Sequence, residues 1–398
     1  MRERTWAAVV AWIALVFSFS GASSFAGDSG AGAAVRPAGQ DVYGGWTHLK
    51  GKKTGFFHTE QLAGRWWIIT PEGNAFFSKG VDSVNLTGAK DEQALKKTDE
   101  AGDHWAAATA ARLHSWGVNT AACWSDDRLG AHGIAWTPRP HLTDGRSTTI
   151  PDVFDPGWAE NVRKRALEQC APHKDDPWVL GYFTDNELPW ANEDDADLVL
   201  KMFLERPADA PGRLKAEGFA KEHGHAKARE FRAQVAHAYF QVTFEAIRAA
   251  DPNHLILGCR FEGHPPTDVV RAMKGYADVI SLNNYSSKPP ADLLAEMHKA
   301  TGLPVMVTEF SVKAKDSGPL ISHGSGPVVA TQHDRALRYT KYVEDLADLN
   351  FCVGYHWFRY RDHPGNNQGL VKVNDEPWEK LAEAFRATNA RLDERHAR

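Results

Sequence analysis

The stretch VLGYFTDNELPW, Val179–Trp190, decides how this chain is read. A strand-like apolar run rises through Phe183 and stops on Asp185, Asn186 and Glu187, ahead of Pro189 and Trp190. Polar groups at the end of a buried strand are costly unless something satisfies them. The same form recurs. Ala75–Asp82 (AFFSKGVD), Val118–Trp124 (VNTAACW), His254–Arg260 (HLILGCR), Val279–Asn283 (VISLN), Pro304–Glu309 (PVMVTE) and Phe351–Trp357 (FCVGYHW) are short runs, nearly all apolar, with polar or aromatic ends; Gly133–Thr137 is a weaker one.

Helical stretches separate these runs. Ala101–Ser115 and Trp158–Cys170 come early, a long polar and helical region spans Asn192–Ala250, and Pro290–Lys299, Gln332–Leu349 and Pro377–Arg391 follow. Alternating strand and helix with near-continuous apolar strands predicts a parallel sheet buried on both faces. The count and spacing fit an α/β fold of the (β/α)8 TIM-barrel type. An N-terminal β-hairpin precedes the barrel, its turn the PEGN of Pro71–Asn74, and the connection after the fourth strand is enlarged and helical. A doubly wound open sheet is the alternative, but SKGVDSVN after the first strand lacks the glycine-rich phosphate turn such folds carry.

The net charge of −5 at pH 7 argues against nucleic acid or an anionic membrane as partner. Residues 1–26 read as an export signal: basic MRER, an apolar stretch, then small residues with a cut after Ala26. Residues 27–45 read as a flexible spacer and 46–395 as a single catalytic domain, exported to a periplasm or the exterior and free of the membrane after cleavage. The cysteines form no CxxC pair, and EHGHAK (Glu222–Lys227) lacks the spacing of a metal site, so neither metal nor cofactor is expected. Fourteen Trp residues serve either core packing or sugar stacking.

In a barrel, chemistry gathers where the strands' C-termini open. There stand Asp82, Trp124, Asn186, Glu187, Arg260, Asn284, Tyr285, Glu309 and Trp357, with Trp190 just beyond. Glu187 and Glu309 end the fourth and seventh strands and face each other across the mouth. Paired carboxyls suit glycosidic bond cleavage: one protonates the departing oxygen while the other attacks or activates water. A gap of about 5–5.5 Å means retention and about 6.5–9.5 Å means inversion.

The ordered set Asn186-Glu187, Tyr285, Glu309 and Trp357 resembles the clan of retaining glycoside hydrolases built on (β/α)8 barrels. GRWWIITPEGNAFFSKGVD, SWGVNTAACWSD, GYFTDNELPW, DPNHLILGCRF and GYHWFRYRD are similar to β-agarases and agarase-like proteins. The resemblance implies Glu187 as acid/base and Glu309 as nucleophile. It further implies Asn186 on the sugar 2-hydroxyl, Tyr285 orienting Glu309, Trp357 beneath the reacting sugar, and a β-linked galactan such as agarose as substrate. Glu309 is then expected ionised, supported by Tyr285 or Arg260. Asp82, Trp124, Trp190, Arg260 and Asn284 are further candidates for substrate binding, while Asp185 reads as structural and Glu262 and Arg359 as loop charges. The same machinery on a glucan or mannan, and a catalytically silent sugar-binding barrel, are the alternatives.

Overall fold

The chain begins its described course with a hairpin whose turn is dictated by backbone chemistry. The computed structural model describes residues 38–89, 91–138, 142–143, 148–318 and 321–398. The expected leader and most of the spacer lie outside the described residues. β1 (Trp46–Lys50), β2 (His58–Leu62), β3 (Arg65–Ile69) and β4 (Asn74–Phe76) form a four-stranded antiparallel sheet in the order β1-β4-β3-β2. Ala63 and Gly64, at φ 51° and 78°, join β2 to β3, the positive dihedrals that a two-residue turn matched to strand twist requires. The Pro71–Asn74 turn predicted from sequence closes β3 onto β4, with Gly73 N–H on Thr70 O at 2.8 Å.

The run AFFSKGVD, read as one strand, serves two sheets. Its first half is β4, and β5 (Ser78–Val81) opens the parallel sheet. β6 (Thr120–Ala121), β7 (Ala135–Trp136), β8 (Gly181–Tyr182), β9 (Leu255–Ile256), β10 (Phe261–Glu262), β11 (Ile280–Asn283) and β12 (Val305–Phe310) follow, then the small pair β13 (Lys313–Ala314) and β14 (Val328–Val329), and β15 (Cys352–Trp357). A seven-stranded parallel sheet runs β10-β11-β12-β15-β5-β6-β7, and β8 pairs separately with β9.

The barrel expectation is met only in part: a parallel sheet with helices, without a continuous closed ladder among the described residues. The interruptions have local causes. Between β7 and β8 the pairing shrinks to one bridge, Trp136 to Val179, with Leu180 N–H on Trp136 O at 2.8 Å. The run HLILGCR breaks at Gly258 (φ 82°), so β9 pairs backward to β8 and β10 forward to β11. A Cβ on Gly258 would press hardest on Met273 Cε, the yielding end of a flexible side chain, so it is the positive φ that calls for glycine.

Helices sit where sequence placed them, and some are fixed by side-chain caps. Thr98 accepts from Ala101 N–H at the start of Asp99–Ser115, and Thr331 and Asp334 form a reciprocal capping box on Gln332–Asp348. The enlarged connection after β8 contains helices Asp197–Leu204, Pro211–His223 and Ala228–Ala250. The described residues, from 38 onward, form one compact unit, and no helix among them is long and apolar enough to cross a membrane. Two apolar cores result. The larger lies between strands and helices; the smaller gathers Cys123, Ala135, Leu180, Leu255, Leu257, Val279, Met306 and Val353 from the parallel runs with Phe57, Ile68 and Phe76 of the N-terminal sheet.

Candidate active site

Each carboxyl of the site is held differently. Glu309, on β12 and only 4% exposed, has both oxygens engaged: Arg260 Nη2 donates to Oε1 and the Tyr285 hydroxyl to Oε2. Glu187 is partly exposed; its Oε1 accepts from Asn283 Nδ2 at 2.9 Å, and Oε2 takes no hydrogen bond from any described residue. The two are joined by a relay of amides and guanidinium. Asn283 Nδ2 also reaches Asn186 Oδ1 at 3.1 Å, and Arg260 Nε donates to that same oxygen at 2.8 Å. Thr308 Oγ1 fixes Asn283 from behind at 2.8 Å.

The backbone aims these groups at a cost. Ser83, Trp124, Glu187 and Arg260, each just past a parallel run, have φ between 51° and 62°. Left-handed conformations of non-glycine residues are uncommon, cost about 1 kcal/mol or more each, and cluster at functional sites. Glu187 N–H on Arg260 O at 3.1 Å ties two of these strained residues together.

Electrostatics follow from burial. Loss of water pushes the Glu309 carboxyl above its ordinary value; Arg260 opposes this, Glu187 adds to it, and the Tyr285 and Arg260 hydrogen bonds hold it back. The expected supports of an ionised Glu309 are in place, but the net shift is upward, because burial outweighs them. Asp82 is fully buried, neither oxygen finds a hydrogen-bond partner among the described residues, and Arg260 Nη2 lies 3.6 Å away. Its carboxyl is raised well above the usual range by burial, against Arg260 and together with Glu309. His356, buried with Nε2 on Ser78 Oγ at 3.1 Å, is driven far below its ordinary value by burial and by Arg260 and stays neutral.

The predicted residues therefore divide. Asn186, Glu187, Arg260, Tyr285 and Glu309 come together, with Asp82 beneath Arg260 and Trp124 against it, the guanidinium 4.5 Å from the Trp124 ring centroid. Trp357 does not reach the site. It is fully buried on the helix side of β15 with Tyr355, packed on Phe310, Tyr339 and Phe385, its Nε1 on Gln368 O at 2.9 Å. Residues two apart on a strand share a face, and here that face meets the helices. Trp190 is likewise core, stacked on Phe240 and edged on Tyr239. The Asn284 side chain turns away from the site, its Oδ1 accepting from Ser286 N–H at 3.2 Å and capping its own loop. Asp185 takes hydrogen bonds from Thr143 and Tyr239, a structural role.

Sequence reading missed two residues. Asn283 stands two before Tyr285 and so shares its face, a period-two signal that was legible. Phe358, directly after β15, sets its ring edge-on to Trp124 and Tyr285 at centroid distances of 6.1 and 6.4 Å, where Trp357 was expected.

No family model matches the chain. Among curated proteins it is 28% identical over 482 residues to Beta-agarase B of Vibrio sp. (strain JT0107), covering 88% of this chain. The chain is a relative of the β-agarases. It spans half the length of that relative. Of solved structures, an exo-β-agarase superposes with a TM-score of 0.82 at 22% identity, over 91% of this chain and 68% of the other, which establishes shared fold. A protein named BpGH50 matches with a TM-score of 0.79 at 25% identity, over 90% of this agarase relative and 87% of its own chain.

Proposed function

We propose that this agarase relative is an exported glycoside hydrolase that cleaves a β-linked galactan of agarose type with retention of configuration. One observation carries the reading: Glu309 has both oxygens clamped by donors, whereas Glu187 keeps one oxygen unengaged by any described residue. That asymmetry suits a fixed nucleophile and an acid facing the departing group. The carboxylate of Glu309 forms a bond to the anomeric carbon as the glycosidic C–O bond breaks and Glu187 gives its proton to the leaving oxygen. Water then attacks the same carbon, Glu187 takes the water's proton, and the Glu309 ester is released. The Asn186 amide nitrogen, unengaged by described residues, is placed to serve the sugar 2-hydroxyl. The partly exposed rings of Trp124 and Phe358 offer it apolar walls.

The parallel runs are read as a (β/α)8 barrel acting as one catalytic domain. In support, the Trp136–Val179 bridge and the hydrogen bond of Val279 N–H to Ile256 O at 3.3 Å span the gaps between paired sheets, while Leu257 N–H to Tyr182 O and Thr184 N–H to Gly258 O lengthen the β8–β9 pair. The smaller apolar core, drawn from most of the parallel runs, is what a filled barrel interior requires.

Reducing-sugar release from agarose, agaro-oligosaccharides, β-glucan, mannan and xylan tests the reading, with Glu187→Gln and Glu309→Gln in parallel. Release from the galactans alone, lost in both variants and with the anomeric configuration retained by NMR, is the expected result. A wild-type protein inert on every substrate, or variants as active as wild type, overturns it.

A further inference from the structure

Arg359 follows Phe358 at the end of β15, its guanidinium carbon 5.5 Å from the Phe358 ring centroid. That ring edges on Tyr285 and Trp124, and Asp82, Tyr285 and Glu309 all act on the guanidinium electrostatically, so Arg359 lies beside the catalytic carboxyls. Its partners are missing in a way its neighbours' are not. Arg260 holds Glu309, Arg361 pairs with Asp375 at 2.8 Å, and Arg335, without a carboxylate, donates to Val312 O and Gly369 O. Arg359 makes no ion pair and no side-chain hydrogen bond with any described residue, and its Nε is shut away from water as well.

The charges around it leave no internal counter-ion. Arg361 repels it; Asp82 and Glu309 attract it from the site but lie at Arg260, and Tyr285 is engaged with Glu309. Asp362, next but two along the chain, has its oxygens on Gly369 N–H at 2.7 Å and Trp378 Nε1 at 2.9 Å. His363 adds to the positive side when protonated. A mostly desolvated guanidinium with an open fork is costly until a planar or tetrahedral oxyanion fills it. A neutral hydroxyl satisfies one N–H but leaves the charge uncompensated beside Arg361.

We propose that Arg359 forms a subsite for an anionic group, a sulfate ester or a carboxylate, carried by a sugar unit at the scissile bond. Resting on the galactan-hydrolase reading, this names an acidic galactan as the preferred form of the substrate.

The test compares matched oligosaccharides of one galactan: neutral, sulfated, and oxidised to a uronate. Wild type is expected to favour an anionic form by about tenfold or more in kcat/KM, the range of a hydrogen bond to a charged group. Whichever anion gives the larger ratio identifies the source. Arg359→Met abolishes the preference while cleavage of the neutral form persists, and Arg359→Lys, which keeps charge without the fork, retains part of it. Equal rates on all three in wild type, or a preference unchanged in Arg359→Met, overturns the proposal. Should Arg359→Met fail to melt cooperatively, a preference undiminished in Arg359→Lys does the same. Calorimetric binding to Glu309→Gln, with and without Arg359→Met, separates the two readings. If wild type cleaves nothing, the hydrolase reading falls, and loss of sulfated-ligand binding on removing Arg359 still decides the subsite.

Discussion

The two ends of the parallel strands are built by opposite rules. At one end, Phe57, Ile68 and Phe76 of the antiparallel sheet pack on Val279, Met306 and Val353, all apolar and buried. At the other, Asp82, Glu187, Arg260 and Glu309 crowd together, Glu187 and Arg260 on left-handed backbone, and neither Asp82 oxygen finds a hydrogen-bond partner among the described residues. The same strands serve both. Apolar burial at the first end stabilises the fold enough to hold strained, desolvated groups at the second. If that division is right, substitutions at the two ends separate cleanly: one class costs stability with little loss of turnover, the other costs turnover with little loss of stability.

The largest effect belongs to the pair itself. Glu309→Gln and Glu187→Gln are expected to lower kcat by roughly 10³-fold or more and roughly 10²–10⁴-fold respectively, with melting temperatures near wild type. Retention of turnover in either breaks the comparison at its centre. At the opposite end, Met306→Ala is expected to cost about 2–5 kcal/mol in denaturant unfolding while kcat at low temperature stays within a few-fold. A collapse of kcat in the still-folded variant shows that the ends are not independent.

Two titration predictions sharpen it. Removing the Tyr285 hydroxyl deletes a hydrogen bond that favours ionised Glu309, whose carboxyl already lies above its ordinary value. In Tyr285→Phe the acid limb of kcat/KM therefore moves to higher pH, since the carboxylate is lost sooner as pH falls; an unmoved limb contradicts the assignment. The smallest effect is at Asp82. A carboxyl raised on folding leaves stability intact below its unfolded value and removes it as pH rises through the folded one. Asp82→Asn carries no such penalty, so its melting temperature gains on wild type from acid toward neutral pH and matches it most closely near pH 4. A constant difference across that range means Asp82 does not titrate in the fold.

Much of this was legible in the sequence because it depends on local pattern. Strand-helix alternation, the Pro71–Asn74 turn and the polar strand ends are short-range features. Trp357 misled because its motif position was legible and its facing was not: a tryptophan at a strand end reads alike whether it turns to the mouth or to Tyr339 and Phe385. Arg260 was expected to support Glu309 and to either pair with Asp82 or contact the sugar, and both ionic contacts are present, but only three dimensions show it fully buried with Asn186 joined to the same cluster. Positive φ at Glu187 and Arg260 leaves no trace in residue type, since neither is glycine or asparagine.

The kink at Gly258 has a reach beyond its own strand. It lies two residues before Arg260, whose carbonyl receives Glu187 N–H and whose side chain grips Glu309. A single backbone joint thus governs where both carboxyls stand, so flexing there changes proton affinity and aim together. Efforts to reshape this protein's specificity have free rein over the surrounding loops. At this joint they meet a position where mechanics and acidity are one variable.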